Sequence, residues 1–239
     1  MFLSSSQSST YPRIKDKDFQ KWNETMFAKF HNELFFHPNP IVRFIENRRK
    51  RNLIRLLDAR KTDVILAAGC GEGYIERQIS GFKHLYLVDY SSTAISLAKA
   101  NLGQSQELTY LRANLEKLPY PNKFFDKIMC SEVIEHTPHP QKLLQEFHRI
   151  LKDDGFLIIS FPNEPFINFL KSILLRLQLF SLFFPGISKN MLAEWHLHSF
   201  DYQVFHRLAN HKWTTLVSIP NPLPFLPIRY ILKCRKFKL

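Results

Sequence analysis

The sequence is short of cysteine, of glycine and of acidic side chains. Its 239 residues hold three cysteines, Cys70, Cys130 and Cys234, an odd number lying far apart. That argues against a disulfide framework and against paired-cysteine metal spacing, so a reducing, intracellular compartment is the expectation. Long apolar runs are missing as well. The most apolar stretch, Pro165–Pro185, carries Lys171 and Arg176 in its interior, which hydrocarbon would penalise, and no membrane span is expected. Met1–Thr10 is Ser-rich, without the basic start and sustained apolar run of a secretory signal. With 45% hydrophobic and 23% charged residues, the composition fits neither disorder, nor a collagen-like chain, nor a coiled coil. The length suits one globular domain with extensions.

The shortage of acid is local. Lys and Arg number 33 against 21 Asp and Glu, a net charge of +12, but residues 1–60 carry +6, residues 61–164 carry −2 and residues 165–239 carry +8. Basic flanks surround a slightly acidic middle. Such flanks can hold phosphate, anionic lipid or nucleic acid, and charge alone does not choose among them; a solvated surface is the plain alternative.

What is present in the middle is alternation. Thr62–Ala68, His84–Asp89, Leu108–Ala113, Phe124–Cys130 and Phe156–Phe161 read as short buried strands. Between them Glu72–Ser80, Ser91–Leu102 and Gln141–Leu151 read as helices, the second opening on hydroxyl residues able to cap it. This pattern predicts an α/β fold with a doubly wound, mostly parallel sheet and right-handed crossovers, whose ligands bind beyond the carboxyl ends of the strands. Residues 14–58 read as one or two helices interrupted by His37-Pro38-Asn39-Pro40. Residues 165–193 read as an apolar helical insertion, and residues 213–219 and 225–233 as two strands joined by a proline-rich turn. The expected division is an N-terminal helical extension (1–60), a core (61–164), an apolar helical insertion or lid (165–200) and C-terminal strands completing the sheet (201–239).

Three of the seven glycines fall in one window, Gly69-Cys70-Gly71-Glu72-Gly73, at a strand-to-helix junction. Bare backbone there admits positive φ and the close approach of a ligand. Asp89, sixteen residues past Gly73 at the end of the second strand, has the chemistry to accept both hydroxyls of a ribose. A tight turn followed by a capping acid is the plain alternative. The G-x-G-x-G spacing points away from a pyrophosphate binder.

With these residues in hand, the chain resembles the class I S-adenosylmethionine-dependent methyltransferases (methyltransferase type 11-like). The resemblance runs from about Thr62 to Glu164 through four ordered motifs, VILAAGCGEG (64–73), LYLVDYS (85–91), ANLEKLPYPNKFFDKIMCSEVIEH (113–136) and LLQEFHRILKDDGFLIISFPN (143–163). It implies a seven-stranded Rossmann-like sheet and S-adenosyl-L-methionine as cofactor. By the resemblance, Gly69, Cys70, Gly71 and Gly73 line the methionine and ribose, Asp89 binds the ribose hydroxyls, and Tyr90 lies along the adenine. Asn114 and Leu115 flank that base, and Cys130, Ser131 and Glu132 face the sulfonium. Two positions depart from the family pattern: Ala67 and Asn114 stand where acids are usual.

Ser131-Glu132-Val133-Ile134-Glu135-His136 follows the fourth strand. His136 is the candidate general base, with packing or helix orientation as its plain alternative. Glu132, Glu135 and His136 at i, i+3 and i+4 are expected to share a helical face, with His196 and His198 in Glu194-Trp195-His196-Leu197-His198 as further ligands. The set is similar to the metal sites of RNA 3′-end ribose methyltransferases and of some quinone-precursor O-methyltransferases, and a divalent metal stays open. The apolar 165–185 stretch reads either as a lid admitting a greasy acceptor at a membrane surface or as an ordinary helical cover. Lys233-Cys234-Arg235-Lys236-Phe237-Lys238 reads as an anionic-surface contact or a solvated tail.

The expectation is a cytoplasmic enzyme, with peripheral contact at the anionic inner membrane surface open, that methylates an oxygen of a small or lipid-linked acceptor of quinone-precursor or glycan type. An RNA methyltransferase and a non-catalytic adaptor built on the same fold are the alternatives, and nucleic acid is not excluded as a partner.

Overall fold

The computed structural model describes residues 14–30, 38–183 and 196–237. Met1–Thr10, His37, residues 184–193 of the apolar segment, Glu194, Trp195 and Lys238 lie outside the described residues. Helices α1 (Asp16–Phe30) and α2 (Pro40–Leu57) precede strand β1 (Val64–Ala68). Strand β2 (His84–Asp89), helix α3 (Ser92–Leu102), strand β3 (Leu108–Arg112), strand β4 (Phe125–Ser131), helix α4 (Pro140–Ile150) and strand β5 (Leu151–Pro162) follow. Then come helices α5 (Glu164–Arg176), α6 (Phe180–Phe183) and α7 (Tyr202–Ala209), and strands β6 (Trp213–Leu223) and β7 (Leu226–Lys236).

The seven strands form one sheet in the order β3-β2-β1-β4-β5-β7-β6. The first five are mutually parallel, and β7 runs antiparallel to both β5 and β6. This is the doubly wound, mostly parallel architecture that the alternating pattern predicts. Strand periodicity splits the core in two. Leu66, Ala68, Val88, Ile128, Cys130, Leu157 and Ile159 pack on one face with Leu143, Leu144, Phe147 and Ile150 of α4 and Phe205 of α7. Ile65, Ala67, Leu85, Leu87, Met129 and Ile158 pack on the other with Leu53, Leu56 and Leu57 of α2 and Ile95 and Ala98 of α3. Adjacent strand residues serve opposite faces, which is why these strands read as continuous apolar runs.

Three local expectations are corrected. Glu72–Ser80 is not a helix; only Glu76–Gln78 winds, as a 3-10 turn. Gly73, at φ +76°, turns the backbone left-handed just where a first helical turn would begin. Strand β5 begins at Leu151, and the expected Asp154-Gly155 turn lies inside it, where the β4–β5 register shifts. Gly155 permits this, since a Cβ there would stand 2.8 Å from the Asp126 carbonyl oxygen. The C-terminal strands are longer than expected, because the ladder continues through Pro220 and Pro222 of β6. An edge strand tolerates the donors that proline lacks. Among the described residues, no helix is long and apolar enough to cross a membrane.

At the carboxyl edge of the sheet, six side chains close a ring of hydrogen bonds. Arg49 of α2 donates to Glu46 at 2.6 Å and to Ser131 Oγ at 2.6 Å. The Ser131 and Ser160 hydroxyls lie 3.0 Å apart, and Ser160 donates to Glu132 at 2.7 Å. Arg229 of β7 closes the ring by donating to Glu132 at 2.7 Å and to Glu46 at 2.5 Å. Two positive and two negative charges cancel with no lone partner, the condition under which burying them is tolerable. Burial would raise the Glu46 carboxyl, but Arg229 and Arg49 outweigh it and bring it to about 2. An unfolded glutamate titrates near 4.5, so the ring's contribution is full above that pH and is lost as pH falls toward 2. Glu46→Gln leaves two buried guanidiniums underpaired, and chemical denaturation at neutral pH is expected to report a loss of about 3–5 kcal/mol. A loss below about 1 kcal/mol, the range of a surface pair, would show that the ring is not structural.

Candidate functional site

The strand order reverses between β1 and β4, so the loops after β1, β2 and β4 surround one crevice at the carboxyl edge of the sheet. The glycine loop leaves β1 there. Gly69 and Cys70 both donate N–H groups to the Val88 carbonyl, at 2.8 and 3.1 Å, which folds the loop back against the end of β2. A Cβ on Gly69 would stand 2.3 Å from Val133 Cγ2, and one on Gly73 2.2 Å from Leu102 Cδ1. These two glycines are therefore demanded by packing against the loop after β4 and against α3. Gly71 differs: at φ +52° its would-be Cβ has room, 3.7 Å from the Phe27 ring.

Asp89 fixes the centre of the crevice. Its Oδ2 accepts from Gly71 N–H and its Oδ1 from Ser91 N–H, each at 2.9 Å. Tyr90 N–H is a third backbone donor to this carboxylate, whose four lone-pair sites still leave one for a ligand hydroxyl. Burial is the largest influence on this carboxyl and raises it; the N–H groups of Ser91, Gly71 and Tyr90 oppose that, and the charge of Glu24 reinforces it. Ser91 goes on to cap α3, its Oγ accepting from Ala94 N–H at 3.1 Å. Tyr90 is half-buried, and its carbonyl accepts from Arg112 at 3.2 Å. Asn114 is exposed and spends its side-chain oxygen on Glu116 N–H at 2.9 Å, while Leu115 is buried in the core. Cys70 and Cys130 are buried thiols, pushed far up in pKa by desolvation first and by neighbouring carboxylates next.

The loop after β4 departs from the expected helical face. Glu132 sits at φ +55°, and only Ile134–His136 winds, as a 3-10 turn. Glu132, Glu135 and His136 therefore diverge: Glu132 turns to Arg229, Glu135 points inward, and His136 packs its ring edge-on to His196 with centroids 4.8 Å apart. His198 is turned away, bonded to the Thr137 carbonyl at 3.0 Å. His196 Nδ1 lies 2.5 Å from Glu164 Oε1, and both residues are buried. Ligand atoms of Glu135, His136 and His196 lie within 4.8 Å of one another. The Glu135 carboxyl is pushed far up, first by burial and then by the charges of Glu132 and Glu164, and its Oε2 has no hydrogen-bond partner.

The sequence of this region matches a known family: residues 66–159 match the one described as a methyltransferase domain. A probable S-adenosylmethionine-dependent methyltransferase of Mycobacterium tuberculosis is 33% identical over 101 residues, covering 42% of this chain and 36% of that one. A ubiquinone biosynthesis O-methyltransferase of Coxiella burnetii is 31% identical over 126 residues, 51% of this chain and 53% of that one. Over residues 66–159, fewer than half of its 239, the chain is similar to a methyltransferase domain. The chain spans about half or less of the length of these two curated relatives. The fold extends further than the sequence match. The magnesium protoporphyrin IX methyltransferase of Synechocystis, solved with bound S-adenosylhomocysteine, superposes with a TM-score of 0.66 over 93% of this chain and 100% of that one, at 14% identity.

Several charged or polar residues around the crevice were not singled out in the sequence as site residues. Glu46, Arg49, Arg229 and Ser160 make the ring, Glu164 orients His196, and Glu24 of α1 reaches the start of α3. Glu164 had one readable signal, a carboxylate at the first position of a helix directly after a buried strand. Glu76 is another. It is fully buried behind the glycine loop, and desolvation brings its carboxyl up to about 7 against backbone hydrogen bonds that favour the charge. An unfolded glutamate ionises near 4.5, so the cost of charging Glu76 inside the fold appears as pH rises from there through 7. Glu76→Gln is expected to gain melting temperature relative to the parent between pH 5 and pH 8, read by calorimetry. An unchanged difference across that range would place the charge elsewhere.

Proposed function

We propose that this chain is an S-adenosyl-L-methionine-dependent methyltransferase acting on an oxygen of a small or lipid-linked acceptor. The observation that carries the reading is the Asp89 carboxylate bridging Gly71 N–H and Ser91 N–H at the sheet's switch point. Bare backbone at Gly71 and the unused lone-pair site on Asp89 suit a ribose, and the backbone from Cys130 to Glu132 borders the same crevice. When bound, S-adenosyl-L-methionine supplies an electrophilic methyl group. The chain's own task is to hold the acceptor in line, exclude water and take a proton from the acceptor hydroxyl. His136 is the group we assign to that proton, with its ring steadied edge-on by His196 and, behind it, Glu164. A lipid-linked acceptor is supported by exposed apolar side chains in and beyond α5: Phe169 is 61% exposed and Leu177 60%. The basic flanks support an anionic membrane surface as its source.

The test is calorimetry of the full chain with S-adenosylhomocysteine. Asp89→Ala is expected to weaken binding by roughly 1–3 kcal/mol, about 5- to 150-fold. Failure of the parent protein to bind at millimolar ligand would remove the donor site and leave the non-catalytic adaptor in front. A methyl-transfer screen over small phenols, lipid extract and total RNA then chooses the acceptor, and methylation of RNA alone would favour the RNA methyltransferase instead.

A second reading, a metal-assisted transfer, has one specific observation behind it. Glu135 Oε2 is a buried carboxylate oxygen without a partner, its other oxygen lies 3.8 Å from His136 Nε2, and ligand atoms of Glu135, His136 and His196 lie within 4.8 Å of one another. Two imidazoles and one carboxylate fit a borderline ion such as Zn²⁺ better than the harder Mn²⁺ or Mg²⁺, and Glu164 would serve as the outer partner fixing the His196 tautomer. Such an ion would polarise the acceptor oxygen. Titration of metal-stripped protein with Zn²⁺, Mn²⁺ and Mg²⁺ is expected to give one site, lost at least 10-fold in affinity in His196→Ala. No heat with any of the three ions would end this reading and leave the metal-free base.

A further inference from the structure

Strands β6 and β7 meet in a two-residue turn, Pro224-Phe225, between the paired Leu223 and Leu226. Turns this short favour glycine and small polar residues, yet Phe225 stands there 78% exposed. Pro222, Pro224 and Pro227 fix φ on both sides of the ring, so the hairpin presents it on a stiff backbone. The N-terminal end of α2 lies beside this hairpin. The Asn221 side chain donates to the Ile45 carbonyl at 3.4 Å, and Arg229 pairs with Glu46. In that first stretch of α2, Ile41 is 41% and Phe44 46% exposed. Helix α5 starts against the same hairpin, where Asn163 donates its backbone N–H to the Ile228 carbonyl and its side-chain amide to the Pro227 carbonyl.

Charge is sorted around these apolar side chains. Glu46 is the only acid of α2 and Glu164 the only acid of α5, both are buried, and β6 and β7 contain none. Val42, Ile45, Glu46, Arg49, Leu53 and Leu57 form the buried side of α2. Ile41, Phe44, Arg48, Arg51 and Arg55, at i, i+3, i+7, i+10 and i+14, form a stripe on its outer side. The stripe is apolar at the sheet edge and basic behind it. At 1.5 Å per residue, Arg48 follows Phe44 by about 6 Å along the axis and Arg51 by about 10 Å. Interfacial elements sink their apolar groups about 5–10 Å into the boundary between headgroups and acyl chains. With Phe44 at that depth, the guanidiniums stand at the level of the phosphates. A second copy of this chain fits poorly, since it would set +12 against +12. Nucleic acid would engage the arginines but leave Ile41 in water.

We propose that the β6–β7 turn and the outer side of α2 form a docking surface for an anionic lipid bilayer. Phe225, Ile41 and Phe44 enter the acyl boundary, and Arg48 and Arg51 meet the headgroup phosphates. This rests, for its purpose, on the lipid-linked acceptor reading above. The ring of Glu46, Arg229 and Glu132 ties α2 and β7 to the loop after β4, so docking sets that end of the crevice toward the bilayer.

The experiment is co-sedimentation of the full chain with vesicles of phosphatidylcholine, alone or mixed with phosphatidylglycerol. The parent is expected to bind the mixed vesicles at least tenfold more tightly, less so as salt rises. Phe44→Ser combined with Phe225→Ser should lower that binding at least tenfold. Phe225→Ser alone, at an exposed turn that the fold does not need, should lower it about threefold. Arg48→Glu combined with Arg51→Glu should remove the preference for phosphatidylglycerol. Circular dichroism of each variant should match the parent. No binding to mixed vesicles, or Phe225→Ser and the arginine pair binding as the parent does, would overturn the surface. So would binding of total RNA that the arginine pair loses while vesicles stay unbound, or a dimer that Phe225→Ser dissolves. Methyl transfer separates the two readings. Docking with no transfer to any lipid would overturn the lipid-linked acceptor and leave the surface. Transfer to detergent-dispersed lipid by a chain that binds no vesicle would do the reverse.

Discussion

The carboxyl edge of the sheet depends on a closed circuit of charge. Arg49, Glu46, Arg229 and Glu132 are each too costly to bury alone, and the circuit neutralises all four while Ser131 and Ser160 complete the hydrogen bonds. Its members come from α2, β4, β5 and β7, elements separated by as many as 183 positions. Glu132 pays the local conformational penalty, adopting φ +55° while its N–H bonds to the Ser160 carbonyl at 3.0 Å. That kink directs the following residues inward.

The same edge is electrostatically lopsided. Asp89, Glu76, Glu135 and Glu164 lie near one crevice, and burial raises the first three. The flanks of the chain are basic, while this edge gathers carboxyl groups that burial pushes toward their neutral forms. The glycine loop is equally divided. Gly69 and Gly73 give way to Val133 and Leu102, and of the three Gly71 alone has room where a Cβ would stand, 3.7 Å from the Phe27 ring. Three glycines in five residues therefore serve two purposes, packing and access.

Much of the fold was legible because parallel strands buried on both faces leave unbroken apolar runs, and Val64–Ala68 and His84–Asp89 fall within one or two residues of where the sequence puts them. The misses are places where local pattern and backbone strain disagree. Glu72–Ser80 has helical composition, but Gly73 is left-handed. Asp154-Gly155 has turn chemistry, but pairing with β4 absorbs it into a strand. For the crevice, order and spacing single out Gly71 and Asp89, which the structure joins by one hydrogen bond. Glu46, Arg229, Glu164 and Glu24 carry no local signature, because an isolated charged residue looks the same whether it ends in solvent or in a buried pair.

The sequence by itself determined the alternation of strand and helix, the glycine loop and the acid after the second strand, since each is written in residues a few positions apart. The tertiary structure decided which charges meet. It joined residues of α2 to β7, turned Glu132 away from Glu135, and brought α1 to the start of α3. Those outcomes turn on desolvation and on distances across the sheet, and only the folded chain sets them.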